Sequence, residues 1–374
     1  MTDDGFGGTM ELHENWIYTE KTIQPVAETM GHLLARIRSQ FATSLLDTKN
    51  LHKIFDRASE SPVTMAAFPF GLEIPLHDPR PRADFGVSLV GNSLTADIYQ
   101  ARSKVDAANQ SIQALGWLLN QTDAEDSNLR RIVGQKMMLE YDIDEEKSKV
   151  ATNPGIFLYP IDDVLAGNSD RFDAVKKVYD ALTYAGGWDA SEPELAHLKT
   201  LYERLPSTRC IKAVGTFPAR RRLTRIAATG FTHSNEVAEF LQKLGWSGDT
   251  VKISEWIKLF EAKRAFTYLG LHFDITPDGI GATLGLSFFA KQSEWLKDIQ
   301  SWVPLIEGID ACQFAQSHKL TELVRWATGS TTLMLGNSNL LLVRGIHHIK
   351  LTVTDGEVDG AKAYVFFLMM TVPR

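Results

Sequence analysis

The stretch Leu341–Phe367, LLVRGIHHIKLTVTDGEVDGAKAYVFF, divides at Asp355-Gly356 into two runs of period-two alternation. That is the pattern of a β-hairpin with one buried face. In the first run Ile349, Leu351 and Val353 share one face, and His348, Lys350 and Thr352 the other. In the second, Ala363, Val365 and Phe367 oppose Lys362, Tyr364 and Phe366. The hairpin therefore has an apolar face and a face that carries two ammonium groups, an imidazole and a phenol.

The same unit recurs upstream. Around Phe70–Val90, Leu72, Ile74 and Leu76 alternate with Glu73, Pro75 and His77; after Asp78-Pro79-Arg80-Pro81, Phe85, Val87 and Leu89 alternate with Asp84, Gly86 and Ser88. Pro75 suits an edge or a bulge better than a central strand. Extended pairs are also predicted at Ile132–Ile143 with Gly155–Ile161, at Arg209–Phe217 with 221–229, and at Phe266–Ile275 with Gly281–Ala290. A charged, helix-like insertion around 145–149 separates the second pair. Between the hairpins, apolar residues return at three- and four-residue spacing: 25–57, Leu94–Leu119, Val164–Trp188 with Pro193–Leu205, Glu236–Leu244 with Ile253–Lys263, and 295–306 with Phe314–Ala327. These segments read as helices. Residues 1–24, with the Gly5, Gly7 and Gly8 string, read as a flexible arm, and 25–374 as a single repeat domain.

Helix, helix, strand, strand thus occurs five times at a spacing of about 60–80 residues. One such unit cannot cover its own apolar sheet face, whereas five side by side make a ten-stranded antiparallel sheet whose closure removes both edges. The expected fold class is α+β: a closed ten-stranded antiparallel barrel of five ααββ units, helices outside and polar faces lining a lumen. Separate α+β domains are the competing reading.

The chain has 374 residues, 44% of them hydrophobic, and a formal charge of −7. The acidic balance argues against a nucleic-acid binder that works through a broad basic surface. Two cysteines, Cys210 and Cys312, cannot build a disulfide framework, which suits a reducing compartment. No stretch reaches the ~18 consecutive apolar residues of a membrane span, and the acidic start has no signal-peptide core. A cytoplasmic protein is expected.

Five ααββ units closing into a ten-stranded barrel resemble the prenyltransferase barrel of bacterial aromatic prenyltransferases and the dimethylallyltryptophan synthase group. Pro69-Phe70-Gly71-Leu72-Glu73-Ile74 resembles the first-strand segment that carries that group's acceptor-binding glutamate; Arg82 follows near the place of a diphosphate-binding arginine, and Lys362-x-Tyr364 resembles its inward lysine-x-tyrosine pairs. Two strands depart from the pattern. Met138, Glu140 and Asp142 share a face of the third, and Tyr268, Gly270 and His272 a face of the seventh, so fewer cations are available for a diphosphate.

The resemblance implies transfer of a prenyl group from an allylic diphosphate to an indole-type or peptide aromatic acceptor. The expected co-substrate is a prenyl diphosphate, with no required cofactor and Mg2+ at most stimulatory. Leaving diphosphate needs cations and hydrogen-bond donors in a site with little water, and Lys350, Lys362, Tyr364 and Arg82 fit that role. Arg222 and Arg225 are further candidates whose strand parity the sequence leaves open. Tyr268, Phe289, Tyr364 and Phe366 can shield an allyl cation with their π-faces, with His272 and His348 as polar lining. Glu73 is the expected acceptor-orienting or proton-accepting carboxylate, its pKa raised by burial. No D-D-x-x-D motif occurs, since 162–163 is followed by Val-Leu-Ala. Two alternatives stay open: a metal site built from His77, His272, Asp274 and His348, and a non-catalytic lumen for a small molecule or peptide.

Overall fold

A computed structural model describes residues 10–143, 153–161, 164–218, 222–290, 299–335 and 338–371. The Gly5–Gly8 string, the insertion around 145–149, the 162–163 pair and residues 220–221 lie outside them. After a first helix α1 (Met10–Ile23), the chain runs α2 (Met30–Arg36), α3 (Thr48–Ala58), β1 (Phe70–Pro75) and β2 (Asp84–Val90). The second unit is α4 (Leu94–Val105), α5 (Gln110–Asp123), a short α6 (Asn128–Val133), β3 (Lys136–Tyr141) and β4 (Gly155–Leu158). The third is α7 (Phe172–Gly186), α8 (Glu192–Arg204), β5 (Cys210–Thr216) and β6 (Thr224–Phe231); the fourth is α9 (Ser234–Leu244), α10 (Thr250–Ala262), β7 (Tyr268–Thr276) and β8 (Gly279–Phe289). The fifth is α11 (Val303–Ala311), α12 (Ser317–Trp326), β9 (Gly329–Leu335), β10 (Ser338–Thr354) and β11 (Glu357–Thr371).

Strands β1 to β8 pair in sequence, β8 pairs with β10, β10 with β11, and β11 with β1, so ten antiparallel strands close into a barrel. The extra strand β9 pairs with the first part of β10 and stands outside the ring. Closure leaves Pro75 harmless although β1 has no free edge. The β1–β2 pairing ends at Glu73 and Asp84, two residues before it.

Packing confirms which face points out. Leu72, Ile74, Phe85, Val87, Leu89, Leu286, Ile349, Leu351, Ala363 and Val365 are buried in one cluster with the apolar faces of the helices. Apolar residues of the opposite parity form two separate clusters in the lumen. The Asp355-Gly356 turn has both residues at positive φ, 52° and 81°, the left-handed pair that a two-residue hairpin turn needs.

Two expectations need correction. Residues 10–23 are not an arm but helix α1, whose Trp16 packs against lumen-facing Val90, Val343, Phe366 and Leu368 and so closes one end of the barrel. The buried Glu20 ties it down by accepting from Leu94 N (3.1 Å), Thr95 N (3.0 Å) and Thr95 Oγ1 (2.6 Å) at the start of α4, where an anion is favoured. Ile132 belongs to α6, not to a strand. Among the described residues no helix is long and apolar enough to cross a membrane.

Candidate active site

From the α1 end outward, the lumen changes from apolar to aromatic to charged. The apolar end holds Phe366 with Trp16, Phe68 and Val343, so Phe366 packs in the closed end instead of lining the charged part. Above it a continuous stack crosses four strands. Tyr268 lies on Phe289 (ring centroids 4.6 Å, 11° between planes), Phe289 on His348 (5.2 Å, 29°), and His348 on Tyr364 (4.0 Å, 14°). A bulge at Ile346/His348 inserts His347 beside His348, and their Nδ1 atoms lie 2.7 Å apart. The bulge switches strand parity: Leu341 and Val343 face inward before it, Lys350 and Thr352 after it.

The charged section begins where the first strand meets the last. Glu73 stands opposite Tyr364 on one side and Asp84 on the other. Lys362 forms an ion pair and hydrogen bond with its carboxylate, and the Tyr364 hydroxyl donates to it as well. Lys350 is only 7% exposed. Its Nζ lies 5.3 Å from the Tyr364 ring centroid, and among the described residues it has no ion-pair or hydrogen-bond partner. Across the lumen Arg225 makes a two-pronged pair with Asp274 (2.7 and 3.0 Å). Its inward position resolves the parity that the sequence left open, while Arg222 pairs with Glu194 of α8. His272 Nε2 lies 2.9 Å from the buried Ser287 Oγ, and among the described residues its Nδ1 has no hydrogen-bond partner. Gly285 separates His272 from Lys350: a Cβ there would meet His272 Cβ at 3.0 Å and Lys350 Cδ at 3.3 Å.

Burial pushes lumen groups toward their neutral forms, and neighbours decide where each ends up. For Glu73, burial is outweighed by Lys362, Lys350 and the Tyr364 hydroxyl, which hold it well below the ordinary carboxylate range. The expectation of a raised value is thus overturned by an ion pair that only barrel closure creates. The raised carboxyl is Asp84, lifted to about 6 by burial and by Glu73 and Asp142, with Lys362 and the Ile143 N–H (2.8 Å) opposing. Lys350 is pushed down to about 7 by burial, Arg225 and Lys362, against the pull of Glu73. His272 and His348 are held neutral by burial and the surrounding cations.

Arg82 is not brought to the lysines. It sits on the β1–β2 loop at the barrel end away from α1, where it and Arg80 clamp Asp78 (2.7 and 2.9 Å) while the buried Lys319 of α12 donates to Pro75 O (2.8 Å) and Arg80 O (2.7 Å). The alternative metal set does not assemble either. His77 bonds the Ala361 backbone at the rim, Asp274 holds Arg225, and His348 stacks on Tyr364. Among the described residues no three His, Cys, Asp or Glu side chains converge for a metal. Asp84 and His347 join the site beyond the residues expected from the sequence. Asp84 was visible on the polar face of its strand, but His347 enters the lumen only through the bulge.

A stability test follows from Asp84. Its folded pKa lies above its unfolded value near 3.8, so the folded chain keeps a proton that the unfolded chain releases, and stability is lost as pH rises through about 6. Asp84→Asn keeps the acceptor for Ile143 N–H and removes the charge. Urea unfolding should show the variant more stable by on the order of 1–3 kcal/mol at pH 8 and equal to the parent near pH 3.5. A variant less stable at pH 8 would contradict this.

No family model matches the chain, and no curated protein matches it significantly by sequence. Its architecture is similar to that of several solved structures. 5-Dimethylallyltryptophan synthase from Streptomyces coelicolor matches at 10% identity, over 91% of this chain and 97% of that one, with a TM-score of 0.50. AnaPT from Neosartorya fischeri matches at 11% identity over 97% and 95%, with a TM-score of 0.55. The prenyltransferase PriB matches at 11% over 92% and 96%, with a TM-score of 0.50. At these identities the likeness shows the fold: the barrel expected from the sequence.

Proposed function

We propose that this chain transfers a prenyl group from an allylic diphosphate to an electron-rich aromatic acceptor inside the barrel, with lysines in place of a required metal. The observation that carries the reading is Lys350: a buried ammonium with no ion-pair partner among the described residues, next to the Glu73–Lys362 pair and at the edge of an aromatic wall. A buried charge is costly unless an opposite charge meets it, and an anion at Lys350 would restore its full protonation. The fold agrees with this. A solved structure of the same architecture, the Streptomyces coelicolor synthase, is a complex with DMASPP and Trp.

The chemistry then divides along the lumen. The allylic C–O bond breaks, and its electron pair leaves with the diphosphate toward Lys350 and Lys362. The cation faces Tyr364, His348, Phe289 and Tyr268, whose rings stabilise it without donating a nucleophilic water. Glu73, held ionised, accepts the N–H or O–H of the acceptor ring and raises its nucleophilicity. Diphosphate release from dimethylallyl diphosphate, assayed with a panel of indoles, phenols and tryptophan- or tyrosine-containing peptides in the presence and absence of a chelator, tests the reading. Acceptor-dependent release that survives chelation is expected. Release that is lost on chelation and restored by zinc, iron or manganese would remove the metal-free part.

One observation favours a second reading. The inward carboxylates Glu73, Asp84, Glu140 and Asp274 face the cations Lys350, Lys362 and Arg225, a balance that suits a neutral or cationic ligand bound without turnover. Melting curves separate the two, because a ligand that binds only the folded chain raises the melting temperature. A shift with prenyl diphosphates supports transfer, and a shift only with amines or neutral aromatics supports the binding lumen.

A further inference from the structure

We propose that His272, positioned by Ser287, is the base that takes the ring proton after prenyl transfer, while Glu73 only orients the acceptor. This rests on the transferase reading above and adds a residue to it.

The other proton acceptors of the lumen are engaged: Lys350 receives the diphosphate in the reading above, and Asp84 stands beside Glu73 and accepts from Ile143 N–H (2.8 Å). Glu73 is occupied by Lys362 and the Tyr364 hydroxyl. Asp274 is occupied by both prongs of Arg225. His347 and His348 meet each other through their Nδ1 atoms, and Tyr364 is held protonated by burial and by Glu73 and Glu140. His272 is different: one nitrogen is fixed and the other, buried, has no hydrogen-bond partner among the described residues. With Nε2–H donating to Ser287 Oγ, the lone pair of Nδ1 remains for a proton. Ser287 is fully buried and stands directly opposite Lys350 on the neighbouring strand, so the imidazole sits next to the proposed diphosphate position.

That adjacency couples the two halves of the reaction. His272 is a poor base in the free chain because of burial first, then Lys350 and Arg225, with Glu73 opposing them. Diphosphate at Lys350 offsets those cations, so the imidazole gains basicity when the leaving group has formed. The aryl C–H bond then breaks, its electron pair restores the aromatic ring, and the proton passes to Nδ1. The resulting imidazolium is paired with the departing diphosphate, and no further reactant is needed.

The test is His272→Gln assayed with protiated and ring-deuterated acceptor. Turnover should fall by a factor on the order of 10²–10⁴ with donor affinity within about threefold of the parent, and a primary isotope effect should appear in the variant. Unchanged turnover, or a fall without an isotope effect, overturns the assignment. Loss of donor affinity instead makes His272 a donor-binding residue, which also overturns it. Ser287→Ala guards against misfolding of the first variant and should show a smaller loss with the same isotope signature. An activity-free readout is the His272 imidazole resonance: its titration should move upward when inorganic diphosphate is added, and a fixed titration counts against the coupling. If the parent chain binds dimethylallyl diphosphate yet transfers it to no acceptor, the transferase reading fails and this assignment with it.

Discussion

Replacing Lys350 and Lys362 together by methionine should weaken prenyl-diphosphate binding by a factor on the order of 10²–10⁴. Each lysine would make a charge-assisted contact worth ~1.5–3 kcal/mol, and every 1.4 kcal/mol is about tenfold in affinity. The single variants should not be equal. Lys350 has no carboxylate partner among the described residues, so Lys350→Met removes charge that is available to the donor. Lys362 already neutralises Glu73. Lys362→Met therefore leaves a buried carboxylate uncompensated and adds repulsion toward an incoming anion. The expected order of damage per residue is accordingly larger for Lys362, and the double variant should fall short of the sum because both changes act on one charge cluster. Titration calorimetry with a non-reactive thiolodiphosphate analogue measures all three. Unchanged affinity in the double variant would mean that the lysines serve another ligand.

The parts of this site that the sequence disclosed are those that depend on local period. Leu72 and Ile74 against Glu73, or Ile349 and Leu351 against Lys350, set the inward face, because a one-residue slip would turn every side chain over. Asp355-Gly356 marked the last turn, and the repeated helix-pair and hairpin order implied closure. What stayed hidden depends on residues far apart. Glu73 and Lys362 are 289 positions distant and meet only because the last strand closes on the first, so the direction of the Glu73 shift could not be read from its own strand. The bulge at His347 interrupts an alternation that looks regular on either side. Helix α1 reads as an arm because its sequence, MELHENWIYTEKTI, is mostly polar; its attachment comes from Trp16 in the barrel end and Glu20 on the backbone of α4. Arg82 lies close to Glu73 in sequence, but the rim loop turns it to Asp78.

Glu73→Gln should move turnover and donor affinity in opposite directions. The substitution keeps volume and a carbonyl acceptor but removes the negative charge that now sits between Asp84 and Tyr364. An acceptor N–H or O–H polarised by a neutral amide is less nucleophilic than one held by a carboxylate, and removal of such an electrostatic contact costs on the order of 10²–10³ in turnover. Donor binding should meanwhile tighten by about 5–30-fold, the equivalent of ~1–2 kcal/mol. Lys362 is released from its ion pair, and Lys350 loses a neighbouring anion but still faces the incoming phosphate. The same change relieves Asp84, whose proton is held partly by Glu73, so its titration should move back toward the ordinary carboxylate range. Three measurements on one variant thus have fixed signs: turnover down, affinity for the thiolodiphosphate analogue up, and the Asp84 carboxyl resonance titrating lower. Weaker donor binding would show that Glu73 shapes the phosphate site through Lys362, because an ordered ion pair was then needed to hold the lysine in place. Full turnover with tighter binding would show that the acceptor is oriented by another group, and the aromatic wall opposite Asp274 and Arg225 would be the place to look for it.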